Sequence, residues 1–179
     1  MFNRKNTVLV IIDLQAQLVP HMAGSKTLVK NAQIMVKAAH ILKIPILVTE
    51  QNPTGIGKTI PEINALLDKA TIISKHTFSC YRSSPFRTAL RSLKRHQLVL
   101  IGIESHVCIY QTAFDLVQND YEVQAIADAI SSRTEINKEI GLERMKAAGA
   151  SIGSVESCVF ELLETSVSPE FKQILKLIK

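Results

Sequence analysis

The sequence predicts a three-layer α/β fold: a doubly wound, six-stranded parallel sheet of order 3-2-1-4-5-6 with helices on both faces. Three observations point there. Six short apolar runs recur along the chain, at residues 8–13, 45–50, 71–75, 98–103, 123–128 and 150–154. They are nearly continuous in apolar character rather than alternating, which suits strands covered on both faces. Between them lie segments whose apolar residues recur at helical spacing, at 29–42, 86–93, 109–117 and 140–148. Strands alternating with helices make crossover units, and such units build a parallel sheet with helices on either side. With 179 residues and 46% apolar content, the chain can bury one good core, so residues 1–179 are expected to form a single domain.

Taken in order, the first run, VLVIID, ends on the carboxylate Asp13, and the segment at 29–42 supplies the first helix. The second run ends at Glu50 and leads into NPTGIGKT, residues 52–59. That stretch sits between a strand and a helix, as a phosphate-binding loop does, but Asn52 stands where the loop needs its first glycine. Pro61 also removes one backbone donor from the turn that follows. The stretch is therefore read as a loop over the active site. The third run ends on Lys75, and residues 86–93 follow as a helix. The fourth, LVLIGI, carries Gly102 near its end, where the backbone can turn sharply. It delivers Cys108 to the first turn of the 109–117 helix, where the dipole and free N–H groups favour a thiolate. The fifth run, the 140–148 helix and the sixth run complete the sheet. Residues 169–179 form a final amphipathic helix with Phe171, Ile174, Leu175 and Ile178 on one side. No repeat, low-complexity segment or linker interrupts this pattern.

Composition narrows the function classes. Lys and Arg number 21 against 16 Asp and Glu, a net charge of +5, but the cations are scattered rather than clustered in a stripe. Three Tyr and no Trp leave few platforms for stacking bases, so no nucleic-acid partner is expected. Cysteines 80, 108 and 158 are odd in number and lack metal-ligand spacing, which argues against a disulfide framework and for a reducing compartment. No signal-like segment opens the chain and no apolar run is long enough to span a bilayer. A soluble cytoplasmic protein without a membrane partner is expected.

In open parallel sheets, ligands bind outside the carboxyl ends of the strands, where strand order reverses. Asp13, Lys75 and Cys108 all fall at such ends: a carboxylate to accept the thiol proton, an ammonium to stabilise negative charge, and a thiolate to attack.

These residues carry a resemblance. VLVIIDLQAQL, SKHTFS and GIESHVCIYQTAFDLVQNDYEVQAIADAISSR resemble the strand, lysine and nucleophile segments of the isochorismatase-like cysteine hydrolase superfamily. TEQNPTGIGKTIPEI and the GIE-x-x-x-C form are most similar to the short isochorismatase domain-containing proteins, over residues 7–178. The resemblance implies a catalytic triad of Asp13, Lys75 and Cys108 and a covalent acyl-enzyme on the cysteine. It also implies a cis peptide at Ile103–Glu104 and an oxyanion hole formed by the backbone N–H groups of Glu104 and Cys108. Relatives assemble into dimers, tetramers or larger rings, which implies a homo-oligomer.

Several positions depart from the superfamily pattern. Thr49, Glu50, Gln51 and Asn52 stand where nicotinamidases carry a D-x-H metal motif, so no metal and no cofactor are expected. Leu18 replaces a common Phe, and Glu104 replaces a small polar residue. Because true isochorismate hydrolases lack the cysteine, Cys108 argues against isochorismate as substrate. Leu18, Gln51, Phe78 and Tyr110 are the candidate substrate-binding residues. Gln15 is expected to bond backbone, His106 to lie too close along the chain to act as the base, Arg133 to bond loop carbonyls, and Cys80 and Cys158 to pack. The function expected is metal-independent cleavage of a small amide-like C–N substrate by a cysteine hydrolase. The alternative is a scaffold or interaction protein that keeps the fold but turns over little.

Overall fold

Val8, Leu9, Val10, Ile11 and Ile12 are all buried, and alternate side chains from this one strand enter two different cores. That is the local signature of a sheet with helices on both sides. The computed structural model describes residues 1–68 and 70–179. Its elements run β1 (Thr7–Ile12), α1 (Ser25–Ile41), β2 (Ile46–Gln51), α2 (Pro53–Ile56), α3 (Pro61–Asn64), β3 (Thr71–Lys75), α4 (Ser84–Leu93), β4 (Gln97–Ile103), α5 (Tyr110–Val117), β5 (Glu122–Ser131), α6 (Glu135–Ala147), β6 (Ser151–Gly153), α7 (Val155–Leu163) and α8 (Phe171–Ile178). The pairings between these strands are parallel among the described residues, and the order is β3-β2-β1-β4-β5-β6, as the sequence predicts.

Leu9 and Ile11 of β1, with Val99 and Ile101 of β4, pack against α1, α7 and α8. Val8, Val10 and Ile12, with Leu98 and Leu100, face Phe86 and Leu90 of α4, Ala113 and Leu116 of α5, and Met145 of α6. Each such side chain contributes on the order of 1.5–3 kcal/mol through burial, so the two cores clamp the central strands from both faces. No helix among the described residues is long and apolar enough to cross a membrane.

Four elements differ from the sequence reading. Helix α7 is unpredicted: Val155, Cys158, Val159, Leu162 and Leu163 keep helical spacing immediately after a strand only three residues long. Its start is a reciprocal Ser154–Ser157 capping box, which satisfies N–H groups that would otherwise be orphaned. The four-residue helices α2 and α3 each open on a proline and are too short to show periodicity. Strand β5 runs ten residues, with a register shift opposite Leu100 and Gly102 that lets its end track β4 as far as Ser131.

Candidate active site

Three strands deliver the site. Asp13 immediately follows β1, its backbone left-handed at φ 55°, and its N–H donates to the Thr49 carbonyl of β2 at 3.1 Å. Lys75 is the last residue of β3, two strands away across β2. Cys108 follows β4 inside a π turn, Ser105–Ile109, that runs directly into α5. The Ile103–Glu104 peptide bond that opens this turn is cis. All three side chains are buried, with residue exposures of 1% for Asp13, 3% for Lys75 and 7% for Cys108.

They converge on one ammonium. Lys75 Nζ donates to Asp13 Oδ2 at 2.6 Å and to Gln51 Oε1 at 2.7 Å, and lies 3.7 Å from Cys108 Sγ. Thr49, fully buried, donates its hydroxyl to the other carboxylate oxygen, Asp13 Oδ1, at 2.7 Å. The same hydroxyl lies 3.6 Å from Cys80 Sγ, and the Cys80 backbone N–H donates to Thr112 Oγ1. Thr49, Thr112 and Cys80 thus belong to the site's buried polar network. Only the adjacency of β1, β2 and β3 with the turn before α4 reveals them.

The electrostatics follow from burial. Burial disfavours the Lys75 ammonium, but the fields of Cys80, Asp13 and Cys108 and the Asp13 hydrogen bond outweigh it and hold its pKa above the ordinary value. Burial, reinforced by the Asp13 carboxylate, pushes the Cys108 thiol well up, and Lys75 offsets only part of this. Both effects favour the protonated thiol over the dipole-stabilised thiolate expected of a helix start. Its position inside a buried π turn beside a carboxylate accounts for the difference. Burial likewise pushes Cys80 up to about 11 and Cys158 up to about 12.

The surrounding polar residues act mainly as tethers. Gln15 donates to the carbonyls of Gln51 and Gly57 and accepts the Gln51 N–H, tying the 52–59 loop across the ends of β1 and β2. Glu50 accepts both the N–H and the hydroxyl of Thr59, each at 2.8 Å, and Thr59 bridges back to Gln15. The loop is pinned by side chains at both ends, as a cover over the strand ends.

Glu104 accepts from the N–H and the Nε of Arg133, so Arg133 holds a carboxylate rather than loop carbonyls. His106 pairs through Nδ1 with Ser132 Oγ. Of the substrate candidates, Gln51 spends its amide on Lys75 and on the His76 carbonyl. Leu18 packs against the first core, Phe78 is exposed, and Tyr110 lies under the Arg144 guanidinium, whose carbon is 3.9 Å from the ring centre. Cavities of about 440 and 260 Å³ open near the amino ends of the strands, beside His40, Lys43 and Arg95 in one and Arg4, Lys5, Lys43 and Arg95 in the other. Neither is lined by Asp13, Lys75 or Cys108.

The isochorismatase domain model matches residues 7–157, the span that holds the whole arrangement. The chain belongs to the isochorismatase family of hydrolases. It is 36% identical to the secreted isochorismatase effector Isc1 of Phytophthora sojae, over 97% of this chain and 85% of that protein. It is 35% identical to mouse isochorismatase domain-containing protein 2A, over 98% and 84%. Among solved structures, the Caenorhabditis elegans protein described as MAR1 ribonuclease superposes with a TM-score of 0.94 at 33% identity, over 99% of this chain and 91% of that one.

The raised thiols give this isochorismatase-family chain a definite pH response. Folded, they keep their protons above the ordinary value of 9.0; unfolded, they do not. From pH 9.0 upward the unfolded chain therefore binds fewer protons than the folded one, and stability falls as pH rises. Each thiol contributes a slope of about 1.4 kcal/mol per pH unit, and for Cys80 this extends to about 11. Lys75, also raised, adds stability that is complete below 10.5 and lost as pH rises from there through its folded pKa, so it acts in the same direction at higher pH. Urea unfolding of reduced protein across this window should show the decline, and Cys158→Ala should remove about one thiol's share of the slope. A flat profile would contradict the burial of these thiols.

Proposed function

We propose that the chain is a metal-independent cysteine hydrolase that cleaves a small amide-like C–N bond through an acyl-enzyme on Cys108. One observation carries the reading: a single buried ammonium lies 2.6 Å from a carboxylate and 3.7 Å from a thiol at the carboxyl end of the sheet. Asp13 takes the Cys108 proton as Sγ attacks the carbonyl carbon. The N–H groups of Glu104 and Cys108 receive the oxyanion. The amine leaves with the proton returned by Asp13; water, giving a proton to Asp13, then attacks the thioester, and the acid is released as the C–S bond breaks and that proton returns to Cys108 Sγ. Lys75 pairs with whichever of Asp13 and the nascent thiolate carries the negative charge as the proton moves between them.

The reading places the protein in the cytoplasm, acting on a small molecule without a cofactor, nucleic acid or membrane. Three unpaired buried thiols support a reducing compartment. Exposed Phe114, Ile136 and Ile140 support a homo-oligomer. Ribonuclease action, named for the C. elegans relative, is not carried over, because the basic side chains beside Lys43 and Arg95 lie away from Cys108.

The test is intact-mass capture during incubation with a panel of small amides, ureides and esters, with a short RNA alongside. An acyl adduct on Cys108, and turnover lost in Cys108→Ala, is the expected result. Absence of both adduct and turnover across the panel would favour the scaffold reading. RNA cleavage that survives Cys108→Ala would replace both.

A further inference from the structure

A lysine ammonium has three N–H donors, and Lys75 has an acceptor for each: Asp13 Oδ2, Gln51 Oε1 and Cys108 Sγ. The first two contacts are short, and the third, to sulfur, is weaker and depends on where the other two hold the nitrogen. Gln51 is fixed for this task. It is the register partner of Lys75 in the β2–β3 ladder, its backbone N–H donates to Gln15 Oε1, and its Nε2 donates to the His76 carbonyl at 2.9 Å. Turning the amide over would set NH₂ donors against an ammonium and leave the His76 carbonyl unserved, so chemistry dictates the orientation. The acceptor is also neutral. A second carboxylate here would compete with Asp13 for the ammonium and add negative charge beside the thiol.

We propose that Gln51 is a positioning residue that holds the Lys75 ammonium over Cys108 and so sets the reactivity of that thiol. The inference rests on the cysteine-hydrolase reading for its meaning. With every Lys75 donor engaged, the ammonium has none for the substrate, and the oxyanion falls to backbone N–H groups. Without the Gln51 oxygen, the nitrogen closes onto Asp13 and the thiol loses its cation. The charged and titratable groups facing Cys108 are then Asp13 after β1, Lys75 of β3 and Cys80 of the turn before α4.

Iodoacetamide alkylation of Cys108, followed by peptide mass mapping from neutral to alkaline pH, tests this without any substrate. Gln51→Met, similar in size but without the oxygen, should alkylate Cys108 roughly tenfold more slowly than wild type, the loss of one hydrogen bond to a charged group. Its pH midpoint should also be higher. Gln51→Glu restores an acceptor and should recover to within about threefold of wild type, its added charge keeping it short of full rescue. Cys80 and Cys158 stay unmodified in a folded variant and so report unfolding internally.

Alkylation by Gln51→Met at the wild-type rate overturns the proposal, as does equal loss in both variants. On any substrate the enzyme turns over, the expected pattern is a lower kcat at unchanged KM. A raised KM with wild-type alkylation would make Gln51 a substrate contact instead. If wild type shows no turnover while the alkylation order holds, the Gln51 assignment stands and the hydrolase reading fails.

Discussion

Lys75→Met is expected to destabilise the protein by about 3–5 kcal/mol and to abolish turnover together. The substitution keeps the length and apolar stem of the side chain, so the packing of β3 is retained and the change is electrical. It leaves the Asp13 carboxylate, 1% exposed, with the Thr49 hydroxyl but no cation. Asp13→Asn should cost a similar amount for the mirrored reason, an ammonium buried with only Gln51 Oε1 as a strong acceptor. The informative variant is the double one. Removing both charges removes the unpaired-charge penalty, so Asp13→Asn/Lys75→Met should be more stable than either single variant, with a coupling of roughly 2–3 kcal/mol in urea unfolding. On the proposed mechanism it should remain inactive, since Asp13 can no longer take the thiol proton. Additive losses would mean that the pair is not coupled, and a double variant with wild-type turnover would remove Asp13 and Lys75 from the chemistry. The stability half of this result is independent of the substrate, so it holds for the scaffold alternative as well.

The legibility of this site in the sequence has a physical cause. Strands buried on both faces must be apolar throughout, so a carboxylate or ammonium at a strand end stands out, and Asp13 and Lys75 mark the carboxyl edge of the sheet by contrast alone. The same contrast does not reveal Thr49, Thr112 or Cys80. They are small, tolerated in any buried strand or turn, and gain their roles only from cross-strand adjacency. Gln51 shows a related ambiguity: a polar residue at a strand end is compatible with facing a substrate, and only the acceptor count of Lys75 turns it toward the protein. Helix α7 was hidden because its apolar spacing begins where a short strand ends, so the two periodicities merge into one apolar stretch. The thiol's charge state is poorly legible for another reason. A helix start favours a thiolate only where the first turn is open to solvent and free of carboxylates, and the π turn around Cys108 is buried beside Asp13.

Gly102→Ala is expected to be about as costly as losing the ion pair, by a wholly different route. Gly102 pairs with Ile12 in the β1–β4 ladder and has φ +122°, a conformation that L residues rarely adopt. A Cβ there would lie 2.0 Å from the Ile12 carbonyl oxygen and 2.9 Å from the Ile12 nitrogen. Those are backbone atoms of a central strand and cannot swing aside as a flexible side chain would, so relief requires β1 and β4 to part where they carry Asp13 and the Cys108 turn. Strain and overlap together cost roughly 3–5 kcal/mol, which for a chain of this size lowers Tm by about 10 °C or more. Gly24→Ala separates the two contributions. Gly24 also has a positive φ, +61°, but a Cβ there would meet nothing within 4 Å. Only the conformational term remains, about 1 kcal/mol. Thermal unfolding of the two variants side by side decides the matter. Equal shifts would mean that backbone conformation alone explains Gly102, whereas a much larger loss at Gly102, accompanied by slower Cys108 alkylation, would show that the closeness of β1 and β4 holds the Cys108 turn against Asp13.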